Sequence, residues 1–311
     1  MSFSHREDKR GDRLLDILTD ELNGVRIEIS RLGAELVSLA RKNHRGEWVG
    51  FLYRDNDLTP PARGWGNHAT VMGYYLHRLK DGKSVYRSHE IRGGTHGFLR
   101  TVVWHPVHGE EGALTYQVSP DDYGPEDYPL KVSLRLTYRI VRDRLTVTFQ
   151  FTNHEPELTA HVGFGLHPGF AASSFESFEF DMPAGKYRRH LAPNNYLSGE
   201  TQEIDFGGGP MPFAREQLPG SYIVELVDVP ERKFTYTDAP SGRKVELDLT
   251  GVPYLTLWSD GGRFLCVEPC WGLTDGHDQR PFEHKEGIQV IPAGGELQAH
   301  FAMKPEVATL P

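Results

Sequence analysis

Apolar and polar residues alternate with a period of two along most of this chain, from Gly24 onward. The clearest stretch is 131–151, where Val132, Leu134, Leu136, Tyr138 and Ile140 alternate with Lys131, Ser133, Arg135, Thr137 and Arg139. A polar turn follows at Arg142-Asp143-Arg144, and then Leu145, Val147, Phe149 and Phe151 alternate with Thr146, Thr148 and Gln150. Successive side chains of a strand point to opposite faces, so this is a hairpin with one buried and one wet face. Similar runs occur at 25–30, 34–39, 102–107, 114–118, 158–166, 222–227, 233–237, 244–249, 254–258, 264–268, 287–291 and 296–302, separated by Gly and Pro clusters. The pattern contains neither long amphipathic helices nor β–α–β alternation. The fold class is therefore all-β and antiparallel, a large sandwich.

The polar stretch 1–13 reads as a flexible N-terminal segment, and 14–22 (LLDILTDEL) fits either a helical turn or the first strand. Residues 14–311 read as one domain. The Gly-rich stretch 207–212 lies between runs of the same period, which makes it a long loop rather than a boundary.

Composition narrows the function classes. The chain has 311 residues, 38% of them hydrophobic, enough for a sizeable core. A formal net charge of −9 argues against nucleic-acid or anionic-membrane partners. No stretch reaches the ~18 apolar residues of a membrane span, and the charged N-terminus has no apolar signal-peptide core. The two cysteines, Cys266 and Cys270, would sit roughly 13 Å apart on one strand, too far for a disulfide. Two free thiols point to a reducing compartment, so a cytoplasmic location is expected.

Three short segments carry candidate chemistry: Gly94-Thr95-His96-Gly97-Phe98, Gly165-Leu166-His167-Pro168 and Cys266-Val267-Glu268-Pro269. By strand parity Phe264, Cys266 and Glu268 share a face, which puts a carboxylate among apolar neighbours. Burial raises a carboxyl pKa and makes it a better base, although a strand-end glutamate paired with an arginine explains the same pattern. His167 shares its face with His161, Gly163 and Gly165, a floor without side chains on which a ligand fits. The bland reading is a structural histidine bonded to a carbonyl. His96 sits in a Gly-rich turn without the Gly-Lys-Ser/Thr of a phosphate loop, and read alone is an ordinary loop histidine. Arg78 offers several donors to a hydroxylated ligand, and Trp65, Tyr74, Tyr75 and Trp104 offer faces for sugar C–H groups or simply core packing. Asp275, His277, Asp278 and His284 cluster in sequence, but their spacing matches no zinc pattern. No Gly-x-Ser-x-Gly marks a serine nucleophile.

Taken in order, these segments resemble the aldose 1-epimerase (galactose mutarotase-like) family over roughly 25–302, most of all its branch of uncharacterised bacterial mutarotase relatives. The resemblance rests on Gly73…Arg78, His96-Gly97-Phe98 with Trp104, Tyr128-Pro129, Leu166-His167-Pro168, Leu257-Trp258-Ser259, Cys266-Val267-Glu268-Pro269 with Gly272, and the Lys285…Pro292-Ala-Gly-Gly-Glu296 ending. It implies a large antiparallel β-supersandwich with few short helices. It also implies a mutarotase interconverting the α and β anomers of a free aldose, with no metal and no organic cofactor. Glu268 would take the C1 hydroxyl proton, His167 would protonate the ring oxygen and His96 would assist, with Arg78, His77 and Trp104 binding sugar. Glu268 and His167 are then expected to face each other across about the width of a pyranose ring, with His96 beside His167.

The chain also departs from the family. Tyr74 and His77 replace the first Arg and the Asn of the usual Arg segment, and Gly169 stands where a bulky aromatic is common. The family's mid-chain aspartate has no match near 219–225. Two alternatives follow: a hexose-phosphate mutarotase using Arg78, Arg87, Arg92 and Arg100, or a non-catalytic carbohydrate-binding protein. A glycoside hydrolase or lyase would need a second carboxylate.

Overall fold

A computed structural model describes residues 2–308. They form antiparallel sheets, and helix among them is confined to short 3-10 segments. A nine-stranded sheet runs in the order Gly209–Pro210, Phe178–Met182, Lys233–Asp238, Arg243–Asp248, Glu296–Val307, Arg144–Asn153, Val132–Val141, Ala113–Val118, His105–Val107. A second sheet runs Thr201–Phe206, Gly185–His190, Tyr222–Asp228, Tyr254–Trp258, Phe264–Trp271, Ala160–Ala171, Gln289–Ile291, with Ala69–Tyr74 also paired to Ala160–Ala171. Phe149 and Phe151 of the first sheet meet Phe164 of the second, with ring centroids 5.1 and 4.6 Å apart. This is the interior that the period-two pattern implied, and the β-supersandwich expectation holds.

The hairpin Val132–Val141/Arg144–Asn153 pairs Val132 with Asn153 through to Val141 with Arg144. Its burial alternates along both strands as the sequence pattern requires. Alternation fails in the middle of the second sheet. Phe264–Trp271 is buried along its whole length, and Ala160–Ala171 nearly so, because both faces of these strands are covered.

The N-terminus differs from the sequence reading. Phe3–Arg10 is a strand, paired with Arg13–Asp20 from Phe3↔Asp20 to Arg10↔Arg13. It is the edge of a five-stranded meander that continues through Val25–Ser30, Glu35–Lys42 and Trp48–Gly50. Charged residues at 4–10 are the marks of an edge strand, not of a flexible lead. They bond inward: His5 reaches Asp16 at 3.1 Å and Arg10 reaches Glu28 at 2.8 Å. The 14–22 ambiguity resolves as strand, and Cys266 and Cys270 are buried free thiols on one strand.

Asp55 ties this meander to the turn that follows it. Its carboxylate accepts from the Ser38 hydroxyl at 2.8 Å and from the Leu39 and Leu52 N–H groups at 3.1 and 3.4 Å. Burial outweighs these bonds and pushes its pKa up to about 6. A folded pKa above the unfolded value means the native state binds the proton more tightly. That stability is complete below about pH 4 and is lost as pH rises through about 6. At about 1.4 kcal/mol per pKa unit the effect is at most about 3 kcal/mol, and less because water still reaches part of the residue. Thermal melts should therefore show wild-type Tm falling between about pH 4 and 6.5 more steeply than in Asp55→Asn. Parallel pH profiles for the two proteins would refute this.

Candidate active site

Two adjacent central strands bring the principal pair together. Ala160–Ala171 pairs with Phe264–Trp271 through Gly165↔Cys270 on one side and Gly169↔Cys266 on the other. In that register His167 stands opposite Glu268 on one face. Pro168 and Pro269 carry no N–H, so the ladder opens at this point. The row extends both ways, since Glu268 lies opposite Thr256 and His167 opposite Thr70. Thr256, Glu268, His167 and Thr70 thus cross four strands as one line. Three of them, Glu268, His167 and Thr70, line a cavity of about 350 Å³, within the usual range for a small-molecule site.

The separation of the pair is a correction. His167 Nε2 lies 3.2 Å from Glu268 Oε1, in direct contact rather than a pyranose width away. Residues opposite each other across an antiparallel ladder have Cβ atoms roughly 5 Å apart, so their side chains meet. His96 is beside His167 as expected, with ring centroids 5.1 Å apart, and His77 is beside His96 at 5.4 Å. His77 Nδ1 is 4.0 Å from Glu268 Oε2, and its Nε2 is 3.4 Å from the Thr256 hydroxyl.

Burial dominates the electrostatics. Glu268 is 1% exposed and Oε2 has no hydrogen-bond partner, so its carboxyl is pushed well above the usual range. Burial, with the charges of neighbouring groups, lowers His167 to about 3 and His77 to about 4, and holds His96 well below its normal value. The site therefore favours neutral imidazoles and a protonated carboxyl. The alternative, with the same proton on His167, has the same net charge and differs only by transfer across the 3.2 Å contact.

Two turns aim the other histidines. His77 and His96 sit in the left-handed region, with φ of 54° and 67°. They are held there by bonds from the His96 N–H to the His77 carbonyl (2.7 Å) and from the Gly73 N–H to the His96 carbonyl (3.1 Å). The segment His77–Lys80 is also fixed by Asp275, which accepts the Lys80 N–H at 2.8 Å and pairs with buried Lys285. Asp275 is thereby satisfied, and no metal grouping forms with His277, Asp278 and His284. Among the described residues the donor cluster that does form is His77, Glu268 and Cys270, whose donor atoms lie within 4.8 Å of one another.

Other placements also differ from expectation. Trp104 does not reach the cavity; it is fully buried, and its indole N–H donates to the Leu99 carbonyl at 3.0 Å. Trp65 and Trp258 line the cavity instead. Gly163 and Gly165 are not an open floor. A Cβ on Gly165 would meet the Pro269 carbonyl at 2.4 Å, and one on Gly163 would touch Leu76 at 3.6 Å. His161 is turned to the Tyr86 hydroxyl at 3.0 Å. Gly169 has a different use, because a Cβ there would lie 2.2 Å from the Trp65 ring. The bare Cα admits that indole, which stacks on His167 with centroids 5.2 Å apart. Near 219–225 the cavity receives Ser221 and Ile223, while Glu225 pairs with Arg188 at 2.9 Å. Asn67 and Asn195 also line the cavity and were not singled out in the sequence; the Pro193-Asn194-Asn195 turn is a signal that could have marked the second of them. Arg78 and Arg100 lie on the wall, and neither guanidinium has an ion-pair partner among the described residues.

The aldose 1-epimerase family pattern matches residues 16–301, and the chain belongs to that family. The plasmid-encoded protein LacX of Lactococcus lactis subsp. lactis is 23% identical over 266 residues, covering 80% of this chain and 85% of LacX. A galactose mutarotase related enzyme from Lactobacillus acidophilus superposes with a TM-score of 0.80 at 23% identity, covering 98% of both chains. A galactose mutarotase-like protein from Lactobacillus casei gives 0.79 at 20% identity, covering 97% of this chain and all of that one. Likeness at these identities establishes the shared fold.

The His96 turn can be tested directly. A Cβ on Gly97 would lie 2.0 Å from the Gly73 carbonyl oxygen, at a φ of +73°, whereas a Cβ on Gly94 meets nothing within 4 Å. Gly97→Ala should lower Tm by several degrees, on the order of 1–3 kcal/mol, and shift the His96 ring resonances, while Gly94→Ala does neither. Equal behaviour of the two variants would contradict the packing described.

Proposed function

We propose that this protein is an aldose mutarotase, with Glu268 and His167 as its proton-transfer pair. The observation that carries this reading is a carboxyl and an imidazole in contact on the wall of a sugar-sized cavity, both driven toward neutrality by burial. The contact suits the substrate. The C1 hydroxyl oxygen and the ring oxygen of an aldose are bonded to the same carbon, so adjacent groups can serve both.

In the reactive arrangement Glu268 is ionised and His167 carries the proton. Glu268 takes the proton of the C1 hydroxyl, His167 gives its proton to the ring oxygen, and the bond from C1 to the ring oxygen breaks as the C1 carbonyl forms. Ring opening leaves Glu268 protonated and His167 neutral, the arrangement that burial favours. Rotation about C1–C2 followed by the reverse transfers closes the ring on the other face. His96 lines the cavity beside His167, which supports a role for it in bonding near the ring oxygen. Trp65 and Trp258 offer faces to the sugar, and Arg78, Asn67 and Asn195 offer donors.

NMR exchange spectroscopy on glucose, galactose and other free aldoses should show interconversion well above the spontaneous rate. Glu268→Gln and His167→Asn should each reduce it by about 10²–10⁴-fold. Glu268→Gln should keep or raise Tm, since a buried carboxyl without a full set of partners is removed. Absence of acceleration with every free aldose would end this reading. Sugar binding that survives Glu268→Gln, in a wild type without exchange, would identify a carbohydrate-binding protein instead.

One observation favours a second reading, a mutarotase of phosphorylated aldoses. Arg78 and Arg100 line the cavity without carboxylate partners, and Glu268 is the acidic residue on its wall among the described residues. Arg87 and Arg92 do not contribute, since Arg87 bonds the Thr159 carbonyl and Arg92 pairs with Glu90. Hexose 6-phosphates run in the same assay decide between the two. Among the described residues no helix is long and apolar enough to cross a membrane, and the free thiols of Cys266 and Cys270 support a reducing, cytoplasmic setting.

A further inference from the structure

Beneath the cavity, three different donor types converge from two parts of the chain. His77 comes from the turn after Ala69–Tyr74, and Glu268 and Cys270 come from alternate positions on Phe264–Trp271. Cys270 Sγ lies 3.9 Å from His77 Nε2, and Glu268 Oε2 lies 4.0 Å from His77 Nδ1. All three residues are buried, and Oε2 has no hydrogen-bond partner. The proton-transfer pair accounts for Glu268 Oε1 and His167, but it leaves Oε2 and the Cys270 thiol without a role.

We propose that His77, Glu268 and Cys270 form a binding site for a zinc-class divalent cation, and that its occupation switches off the proton-transfer pair. Charge is the first argument. One thiolate, one carboxylate and one neutral imidazole around a dication sum to zero, the arrangement a buried site tolerates best. Ligand type is the second. A sulfur, a nitrogen and a single oxygen suit zinc and its neighbours, not magnesium or calcium, which need several oxygens. Geometry is the third. Tetrahedral zinc with these ligands places donor atoms roughly 3.3–3.8 Å apart. With a single ring nitrogen taken from His77, the three donor atoms already lie within 4.8 Å of one another, and inward rotation of the side chains closes the site. Three protein ligands would leave a fourth position for water, as in open zinc sites. Binding releases the thiol proton and any proton held by Glu268 to solvent, with no change in oxidation state.

The inhibitory half of this proposal rests on the mutarotase reading; the binding half does not. A cation on Glu268 Oε2 draws negative charge from the whole carboxylate, so the group loses the basicity needed to take the C1 hydroxyl proton. Chelator-treated full-length protein should bind one equivalent of Zn²⁺ by calorimetry. Bound Co²⁺ should give the intense near-ultraviolet thiolate-to-cobalt band and the visible bands of a tetrahedral site. Cys270→Ser should abolish the thiolate band and weaken Zn²⁺ at least about tenfold, while anomer exchange without metal stays at the wild-type level. His77→Asn, read by binding alone, should weaken Zn²⁺ similarly. One equivalent of Zn²⁺ should suppress wild-type exchange at least about tenfold, reversibly with chelator, with Cys270→Ser resistant at the same concentration. No stoichiometric binding, or a Co²⁺ spectrum unchanged in Cys270→Ser, overturns the site. Stoichiometric binding with full exchange activity overturns the switch. If wild type exchanges no aldose, the mutarotase reading and the switch fall together, and the Co²⁺ spectrum still decides the site.

Discussion

The register between Ala160–Ala171 and Phe264–Trp271 is the constraint on which the site depends. Gly165 opposite Cys270 and Gly169 opposite Cys266 leave His167 facing Glu268. A slip of one residue would separate the two side chains, sending one of them to the opposite face, into the packed interior beside Phe164 and Leu166. The register is protected by what lies on that other face. Val162, Phe164, Leu166, Leu265 and Val267 are all fully buried, so slippage would exchange a dry core for polar groups. The apolar side of these strands thus fixes the polar side, and core packing determines active-site geometry.

The surrounding segments are then recruited to a fixed line. Ala69–Tyr74 extends it with Thr70 and delivers His77 at its end. Buried Glu35 holds the start of this segment, accepting the His68 N–H at 2.8 Å, and its pKa stays low because those bonds outweigh burial. Asp275 and Lys285 clamp the other end. Paired and hydrogen-bonded ions therefore flank the site, whereas Glu268 at its centre has an unpartnered oxygen. The contrast separates carboxylates that hold the structure from one whose second oxygen is unengaged among the described residues.

Much of this was legible in the sequence, for a physical reason. Strands with one wet face print their parity, so 132–141 and 144–153 could be read residue by residue, and Tyr254–Trp258 was placed to the residue. Parity also put Glu268 among apolar neighbours and His167 on a face with glycines. Pairing across about a hundred residues leaves no such trace. The contact between His167 and Glu268 follows only from the ladder, which is why a pyranose-wide gap was expected. Phe3–Arg10 was missed because an edge strand satisfied by ion pairs has the composition of a tail. Trp104 was misplaced for a related reason: sequence shows that an indole is present, not whether it packs inward.

The departures from the family pattern become coherent once the structure is considered as a whole. Gly169, where a bulky aromatic is common, gives its space to Trp65, so aromatic surface reaches the cavity from a different loop. No carboxylate arrives from 219–225, where Ser221 and Ile223 face the cavity and Glu225 is turned to Arg188. Against the family pattern the wall thus carries an apolar and a hydroxyl group in place of an acceptor, with three histidines and two guanidiniums that have no ion-pair partner among the described residues. A cavity with this balance of donors over acceptors suits a ligand rich in acceptors or carrying a negative charge. This balance leaves the His167–Glu268 line untouched, because Asn67, Arg78, Asn195 and Ser221 lie outside the strands and His167 and Glu268 lie on a ladder. Ligand preference and the central pair are thus separable in this fold, and substitutions on the surrounding loops need not disturb the contact between His167 and Glu268.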